Sequence, residues 1–189
     1  MLYELKNCRT GESHPYKTTV DITERDGILT FVFECEHSAF HCPYHNYNDI
    51  HSCGDAVEIL IGTDKNRRVY YEIELSAEGV FMLSEMTNSG VDEKNDPILG
   101  LNLIPEEKCF VSGMVEKMDN DGYRAVITFP KEKIRTGDDG DRVYFNAYRL
   151  ETDGVEMNRH LFAMNPTKAG KFHVPSYFMY LDEKLKICD

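Results

Sequence analysis

The stretch Val69-Tyr70-Tyr71-Glu72-Ile73-Glu74-Leu75 alternates apolar and acidic side chains from Tyr71 onward. Successive side chains of a β-strand point to opposite faces, so alternation with a period of two predicts a strand with one buried face. The dipeptide Glu78-Gly79 follows as a turn signal, and Val80-Phe81-Met82-Leu83 predicts the next strand. The stretch therefore indicates a β-protein.

The same pattern continues on both sides of this stretch. The further predicted strands are short and rich in β-branched and aromatic residues, and they cover residues 28–34, 56–62, 110–115, 123–129, 143–149 and 177–181. Asp119-Asn120-Asp121-Gly122 predicts a hairpin turn. A short helical turn is predicted for Lys131 to Arg135, and a surface excursion for Thr87 to Pro105. We therefore predict one all-β domain over residues 1–189, an antiparallel β-sandwich or jelly roll with little helix.

Composition excludes several classes of partner. The 189 residues include 21 basic and 33 acidic side chains, and the net charge is −12. Such a surface repels phosphate backbones and anionic lipids, so we expect neither nucleic acid nor a membrane as a partner. No apolar run approaches the 18 residues or so of a membrane-spanning helix. A neutral sugar is compatible with this charge.

The N-terminus, Met-Leu-Tyr-Glu-Leu-Lys, has no long apolar core and no small-residue cleavage site. By itself it is typical of a cytoplasmic protein. The six cysteines have no repeated spacing, and without a secretory signal most are expected to be reduced, although their even number leaves disulfides open.

Five segments, taken in order, carry a resemblance to a known family. They are Gly54-Asp55-Ala56-Val57-Glu58-Ile59-Leu60-Ile61, then Tyr70-Tyr71-Glu72-Ile73-Glu74-Leu75, then Tyr123-Arg124-Ala125-Val126-Ile127-Thr128-Phe129-Pro130, then Phe145-Asn146-Ala147-Tyr148-Arg149, and finally Asn165-Pro166-Thr167 with Phe172-His173-Val174-Pro175-Ser176-Tyr177-Phe178. In this order they resemble the family 9 carbohydrate-binding modules and their DOMON-like relatives.

The resemblance implies a β-sandwich whose loops at one end hold a sugar, often at a chain end. Family members are usually attached to xylanases or other secreted glycosidases, which implies an extracellular location, and some bind structural calcium. The family builds its sugar site with tryptophans, but this chain has none. Met164 stands where the "W-S-P" tryptophan would be, and Tyr123 replaces the strand tryptophan. Phe40, Tyr44 and Tyr47 lie in the loop that would supply the other ring.

The resemblance implies a set of ligand-binding residues near the sugar site. Glu58 lies in an otherwise apolar strand, where a charge must be paired or line a cleft. Arg149 is its expected partner, and the alternative is a structural ion pair between the two inside the sandwich. His173 either caps a loop or touches the ligand. The full candidate set is Asp55, Glu58, Asn146, Arg149, Asn165, Tyr44, Tyr47, Met164 and His173.

The stretch from Cys35 to Cys53 is rich in cysteine and histidine. It contains Cys35, His37, His41, Cys42, His45, His51 and Cys53. Thiolate and imidazole are good zinc ligands, but no standard zinc spacing occurs, so polar loop histidines and buried thiols are the alternative. The acidic turns 119–122 and 138–141 could hold calcium, but neither has the distal glutamate of an EF-hand, and both indicate hairpin turns first.

The sequence favours a sugar-binding module over an enzyme. No spacing singles out a catalytic acid and nucleophile, and there is no nucleophile elbow, phosphate loop or HExxH motif. One alternative is a sandwich that has lost sugar binding and acts as an interaction or scaffold domain. Another is a metalloprotein that uses the loop from Cys35 to Cys53. The DOMON-like resemblance adds heme ligation, for which Met82, Met86, His160 and His173 are available.

Overall fold

The computed structural model describes residues 2–50, 54–94, 96–119, 121–137, 142–153, 155 and 158–181, together with the backbone of 187–188. The strands are β1 (Leu2–Asn7), β2 (Thr18–Arg25), β3 (Ile28–Cys35), β4 (Ala56–Gly62), β5 (Val69–Ser76), β6 (Phe81–Val91), β7 (Pro97–Leu103), β8 (Ser112–Lys117), β9 (Tyr123–Pro130), β10 (Val143–Glu151), β11 (His160–Ala163), β12 (Met179–Leu181) and β13 (Ile187–Cys188). Short 3₁₀ helices cover Glu106–Lys108, Lys131–Ile134 and Pro175–Tyr177. Among the described residues, no helix is long and apolar enough to cross a membrane.

The strands form two antiparallel layers. The first sheet has the order β1-β2-β3-β9-β8, and the second has the order β7-β6-β5-β4-β10-β11. β12 pairs with the first half of β10, along the same edge that β11 occupies further on. β1 joins the layers, because Leu2 to Leu5 pair with β2 while Lys6 and Asn7 pair with β11. The predicted all-β antiparallel sandwich is confirmed.

The main core fills the space between the two sheets. On β5 the apolar members of the alternation, such as Ile73 and Leu75, are fully buried there. Phe31 of β3, Phe129 of β9 and Phe145 of β10 meet them from neighbouring strands. Burial of a large apolar side chain contributes about 1.5–3 kcal/mol, so this layer is the main source of stability. The predicted buried face of β5 is therefore the face that carries Ile73 and Leu75 into the space between the sheets.

One correction concerns the chain between β6 and β8. The segment from Thr87 to Pro105 is not a surface excursion, because β6 runs on to Val91 and β7 returns beside it as an antiparallel edge strand. Periodicity did not show this, since the exposed residues of β7 include Ile98, Leu101 and Leu103. β8 and β9 pair as an antiparallel hairpin, and the helical turn after Pro130 is present as predicted. Asn120 of the predicted hairpin turn lies outside the described residues. The turn at 138–141 lies outside the described residues.

A buried charge cluster closes one end of the core. Arg149 points inward from β10, and Nη2 lies 3.4 Å from Oδ2 of Asp55, with neither side chain exposed. Its Nη1 donates to Thr18 Oγ1 at 2.9 Å, and its Nη2 donates to the carbonyl oxygen of His37. Asp55 also accepts hydrogen bonds from Ser38 and Tyr123. This network ties both sheets to the loop after β3.

The expected pairing of Glu58 with Arg149 is wrong. In the register of β4 and β10, Tyr148 lies opposite Glu58, while Arg149 lies opposite Val57. Cross-strand partners share one face, so Glu58 and Arg149 project from opposite faces of the sheet. Arg149 is therefore an interior residue whose carboxylate partner is Asp55.

Replacement of Arg149 by Met would leave the Asp55 carboxylate buried without its cation. Breaking a buried pair from one side typically costs about 3–5 kcal/mol, and we expect a loss of that size in the free energy of unfolding. Chemical denaturation measures it. The matched control is Arg25→Met, since the side chain of Arg25 is 92% exposed. Equal stability of the two variants would contradict the structural role of the pair.

Candidate functional site

The outer face of the second sheet forms the floor of a cleft. Cross-strand register places Glu58 opposite Glu74, and Glu74 opposite Met82. The next row sets Glu72 beside Ser84. These residues are the alternate positions of the same strands whose other face fills the core. The acidic half of the opening alternation is therefore the floor of a cleft rather than a solvated surface.

Loop residues and the edge of the sheet make the walls of this cleft. Gly170 to His173 lie on one side, with Arg159 close by, and Leu99 and Leu101 of β7 lie among the other lining residues. The cavity has a volume of about 630 Å³. That is within the range of about 300–1,000 Å³ that small-molecule sites occupy. A concave, mixed apolar and polar cleft is thus the candidate site.

Glu58 is the most unusual group of the cleft. It is 7% exposed, and its Oε1 atom has no hydrogen-bond partner among the described residues. Burial raises the pKa of Glu58 well above its usual range, and the neighbouring charges of Glu74 and Glu72 raise it further. A buried carboxyl group without a partner costs free energy unless something else satisfies it. The arrangement favours a ligand that donates hydrogen bonds or carries positive charge.

His173 is held by a short chain of contacts. Its Nδ1 atom lies 3.0 Å from the hydroxyl oxygen of Tyr70, and its Nε2 atom lies 3.1 Å from Oε1 of Glu72. The other oxygen of Glu72 accepts a hydrogen bond from Ser84 Oγ at 3.0 Å. The ring is therefore fixed in orientation from both sides. One ligand atom each from Glu58, Glu72 and His173 lie within 4.8 Å of one another.

Phe172 supplies an aromatic ring at the cleft wall. It stacks on Tyr148 with a centroid separation of 4.4 Å and an interplanar angle of 26°. The hydroxyl of Tyr148 donates a hydrogen bond to the Phe172 carbonyl oxygen at 2.9 Å. Stacking and hydrogen bonding together fix the position of this ring, although the loop that carries it has no regular secondary structure.

Two of the predicted residues, Glu58 and His173, line the cleft. Asn146 instead anchors the loop after β11, since its side-chain amide donates to the Asn165 carbonyl oxygen at 2.8 Å and its Oδ1 accepts from the Asn165 backbone amide at 3.0 Å. Asn165 in turn donates to the Tyr177 carbonyl oxygen at 2.9 Å. These two asparagines shape the wall from behind rather than lining the cleft.

The other predicted residues do not line the cleft, although Tyr44 packs against residues that do. Met164 is buried in the main core between the sheets, and Tyr47 packs against the same core. Tyr44 belongs to a small buried cluster with Ile50 and Met82. Asp55 and Arg149 form the interior ion pair. The family motifs place these residues near the expected site along the chain, but they do not show which face of the sandwich each side chain occupies.

Sequence reasoning missed most of the cleft residues. Glu72 and Glu74 lie in the opening stretch, but alternation alone does not show what lies against their face of the strand. The signal that could have found them is that Glu58 and Glu74 lie on the same face of the sheet. This becomes visible only when the register of β4 and β5 is known. Arg159, Lys171 and Phe172 are carried by irregular segments, for which periodicity gives no direction.

The residues from Cys35 to Cys53 do not form a metal cluster in the part of the chain that the structure describes. Cys35 is fully buried in the main core, and burial raises the pKa of its thiol to about 11. His37 lies 3.8 Å from Glu151, and His45 lines a separate surface depression near Cys42. Cys8, Cys35, Cys42 and Cys109 are free thiols. His51 and Cys53 lie outside the described residues.

The residues considered for heme are divided between two places. Met82, Met86 and His173 line the cleft, and His160 is exposed on β11. Glu58, Glu72 and Glu74 line the same space as the methionines. Three carboxyl groups on one floor do not suit the apolar plane of a porphyrin. This chemistry fits a hydroxyl-rich or cationic ligand better.

Solved structures with the same fold include sugar-binding modules. A candidate carbohydrate-binding protein from Bacteroides uniformis superposes with a TM-score of 0.71 at 13% identity, over 94% of this chain and 84% of that one. A family 9 carbohydrate-binding module from Caldicellulosiruptor kristjanssonii in complex with glucose gives 0.52 at 16% identity, over 94% and 82%. The complex with cellotriose gives 0.50 at 15% identity, over 93% and 80%.

These likenesses establish the fold. The chain has the β-sandwich fold of the family 9 carbohydrate-binding modules, as its sequence motifs predicted. No protein-family model and no curated protein matches it in sequence.

Replacement of Glu74 by Gln tests the electrostatics of the cleft floor. Burial, aided by the charge of Glu72, raises the pKa of Glu74 to about 8 from its ordinary value of 4.5. The folded state therefore holds its proton more tightly than the unfolded chain, and stability falls as the pH rises between these two values. Gln cannot ionise, so the variant should gain thermal stability over the parent as pH increases.

Thermal unfolding at pH 5 and pH 8 checks this expectation. We expect similar melting temperatures at pH 5 and a higher one for Glu74→Gln at pH 8, with each 1 kcal/mol worth about 2–4 °C. Glu93→Gln is the control, because Glu93 is exposed. A difference that does not change with pH would show that Glu74 ionises normally.

Proposed function

We propose that this chain is a non-catalytic binding module that holds a mono- or oligosaccharide in the cleft on the outer face of the second sheet. The observation that carries the proposal is the buried Glu58 carboxyl group, which has an oxygen without a partner among the described residues in a cleft of about 630 Å³. Sugar hydroxyls donate hydrogen bonds, and a carboxyl oxygen accepts them.

The composition of the cleft suits a pyranose. Glu58, Glu72 and Glu74 offer acceptors for vicinal hydroxyls, while Arg159 and Lys171 offer donors. The fixed ring of Phe172 presents an apolar surface for the C–H face of a sugar, a role that tryptophan has in the family. Stacking would supply much of the affinity, and the hydrogen bonds would supply selectivity.

The solved structures support this class of ligand. Two structures of a family 9 module with the same fold hold glucose and cellotriose. We therefore propose gluco-configured sugars and β-linked oligosaccharide ends as the first ligands to examine. An association with xylanases or other glycosidases, and the extracellular location that goes with it, belong to the same proposal.

The placement of the carboxyl groups supports binding without hydrolysis. Glycoside hydrolysis requires two carboxyl groups that flank the scissile bond from opposite sides. Glu58 and Glu74 are direct cross-strand neighbours, so their side chains project from the same face of the sheet. They therefore share one floor rather than facing each other across a substrate.

Calorimetric titration with glucose, cellobiose, cellotriose, xylose and xylobiose tests the proposal. We expect binding by the parent chain, and a loss of affinity of up to about tenfold in Glu58→Gln, since a single hydrogen bond contributes about 0.5–1.5 kcal/mol and about 1.4 kcal/mol is tenfold. Phe172→Ala should also weaken binding, through loss of stacking. Glu93→Gln, on an exposed residue outside the cleft, is the control.

No binding of any of these sugars by the folded parent chain would overturn the proposal. Equal affinity in Glu58→Gln and in the parent would move the sugar site away from this cleft. Circular dichroism of each variant separates a lost contact from a lost fold.

A second candidate function, an interaction or scaffold domain, is favoured by the edge strand β7. Ile98, Leu101 and Leu103 are 48%, 58% and 44% exposed on this strand. A long apolar edge strand is a template for pairing with another chain. If this function holds, the chain forms a stable oligomer, and Ile98→Lys dissociates it into monomers because a charged side chain on an edge strand prevents pairing. Light scattering measures the molar mass of both proteins. A monomeric parent chain would exclude self-association through β7.

A further inference from the structure

Three groups at one end of the cleft have the chemistry and the spacing of metal ligands. Glu58, Glu72 and His173 each offer one ligand atom, and these atoms lie within 4.8 Å of one another. His173 Nε2 and Glu72 Oε1 are already 3.1 Å apart. Ligands at about 2.0–2.2 Å from a tetrahedral zinc ion lie roughly 3.3 Å from each other. The Glu58 oxygen lies within 4.8 Å of both other ligand atoms, so a shift of at most about 1.5 Å would complete a three-residue set.

The outer contacts of this trio are those that support metal ligands. A histidine that binds a metal generally has its second ring nitrogen hydrogen-bonded, which fixes the tautomer and the ring orientation. His173 Nδ1 lies 3.0 Å from the Tyr70 hydroxyl oxygen, so Nε2 is left to face Glu72. Ser84 holds the Oε2 atom of Glu72, which leaves Oε1 directed toward His173. Both ligands are thus oriented before any ion arrives.

Glu58 provides an independent indication of a missing ligand. It is 7% exposed, and Oε1 has no hydrogen-bond partner among the described residues. Lys171, a basic residue of the cleft wall, contacts Asp96 instead. A divalent ion beside Glu58 would supply the missing partner of its Oε1 atom.

We propose that Glu58, Glu72 and His173 bind one divalent transition-metal ion of the zinc class. The imidazole ligand favours zinc over calcium and magnesium, which prefer all-oxygen sites. Three protein ligands leave at least one coordination position, and it would face the cleft. A water molecule fills this position in the absence of a ligand. If the proposed sugar-binding function holds, a sugar hydroxyl could take the same position.

Zinc titration of chelator-treated, untagged protein tests the site without any sugar. We expect one zinc per chain by calorimetry and elemental analysis, and loss of this binding in His173→Ala. Tyr70→Phe keeps the three ligands but removes the contact to His173 Nδ1, and we expect affinity to fall by about 10–100-fold. The control is His160→Ala, since His160 is exposed and is not part of the trio.

Cobalt substitution identifies the ligand atoms. A site of one imidazole and two carboxylates gives visible d–d absorption without a thiolate charge-transfer band in the near ultraviolet. Such a band would assign the metal to cysteines instead and would overturn the proposal. Retention of stoichiometric zinc by His173→Ala, or no zinc binding by the parent chain, would also overturn it. Sugar titrations with and without zinc keep the two questions separate, because sugar binding without zinc binding would leave the proposed function standing.

Discussion

The pairing of β4 with β10 is the constraint on which the rest of the molecule depends. Every residue of both strands is buried, because one face meets the other sheet and the opposite face forms the cleft floor and the cluster beside it. A polar side chain on either strand therefore cannot rely on bulk water and needs a specific partner. Arg149 on the inner face has such a partner, while Glu58 on the outer face has an oxygen without one among the described residues.

On the inner face the requirement is met within the chain. Arg149 finds Asp55, Thr18 and a backbone carbonyl, so the charge is neutralised and its N–H groups are used. On the outer face it is not fully met, since the Glu58 oxygen has no partner among the described residues and the nearest charges are carboxyl groups. A satisfied network specifies one core, while an incomplete network leaves a place for a ligand. The fold thus separates the structural ion pair from the candidate site by the thickness of one sheet.

The proposed sugar and the proposed metal ion would occupy different parts of the cleft. A sugar would occupy the open cleft, whose lining combines carboxyl groups, basic side chains, the ring of Phe172 and leucine side chains. A metal ion would occupy the floor beside His173, where the ligand atoms already converge. The chain has no tryptophan. A bound metal ion would supply some of the affinity for a sugar that stacking on tryptophan supplies in the family.

The sequence by itself determined the sandwich, because a period of two in β5 and its neighbours requires strands with one face in a core. It also pointed to Glu58 as a charge that needs a partner, since the surrounding strand is apolar. Only the tertiary structure decided that Arg149 is not that partner, that Glu72 and Glu74 form a cleft floor, and that His173 closes over them. The physical reason is that alternation assigns a residue to a face but not to a neighbour. Neighbours depend on strand register and on loops without periodicity, which are fixed only when the two sheets and their connections pack together.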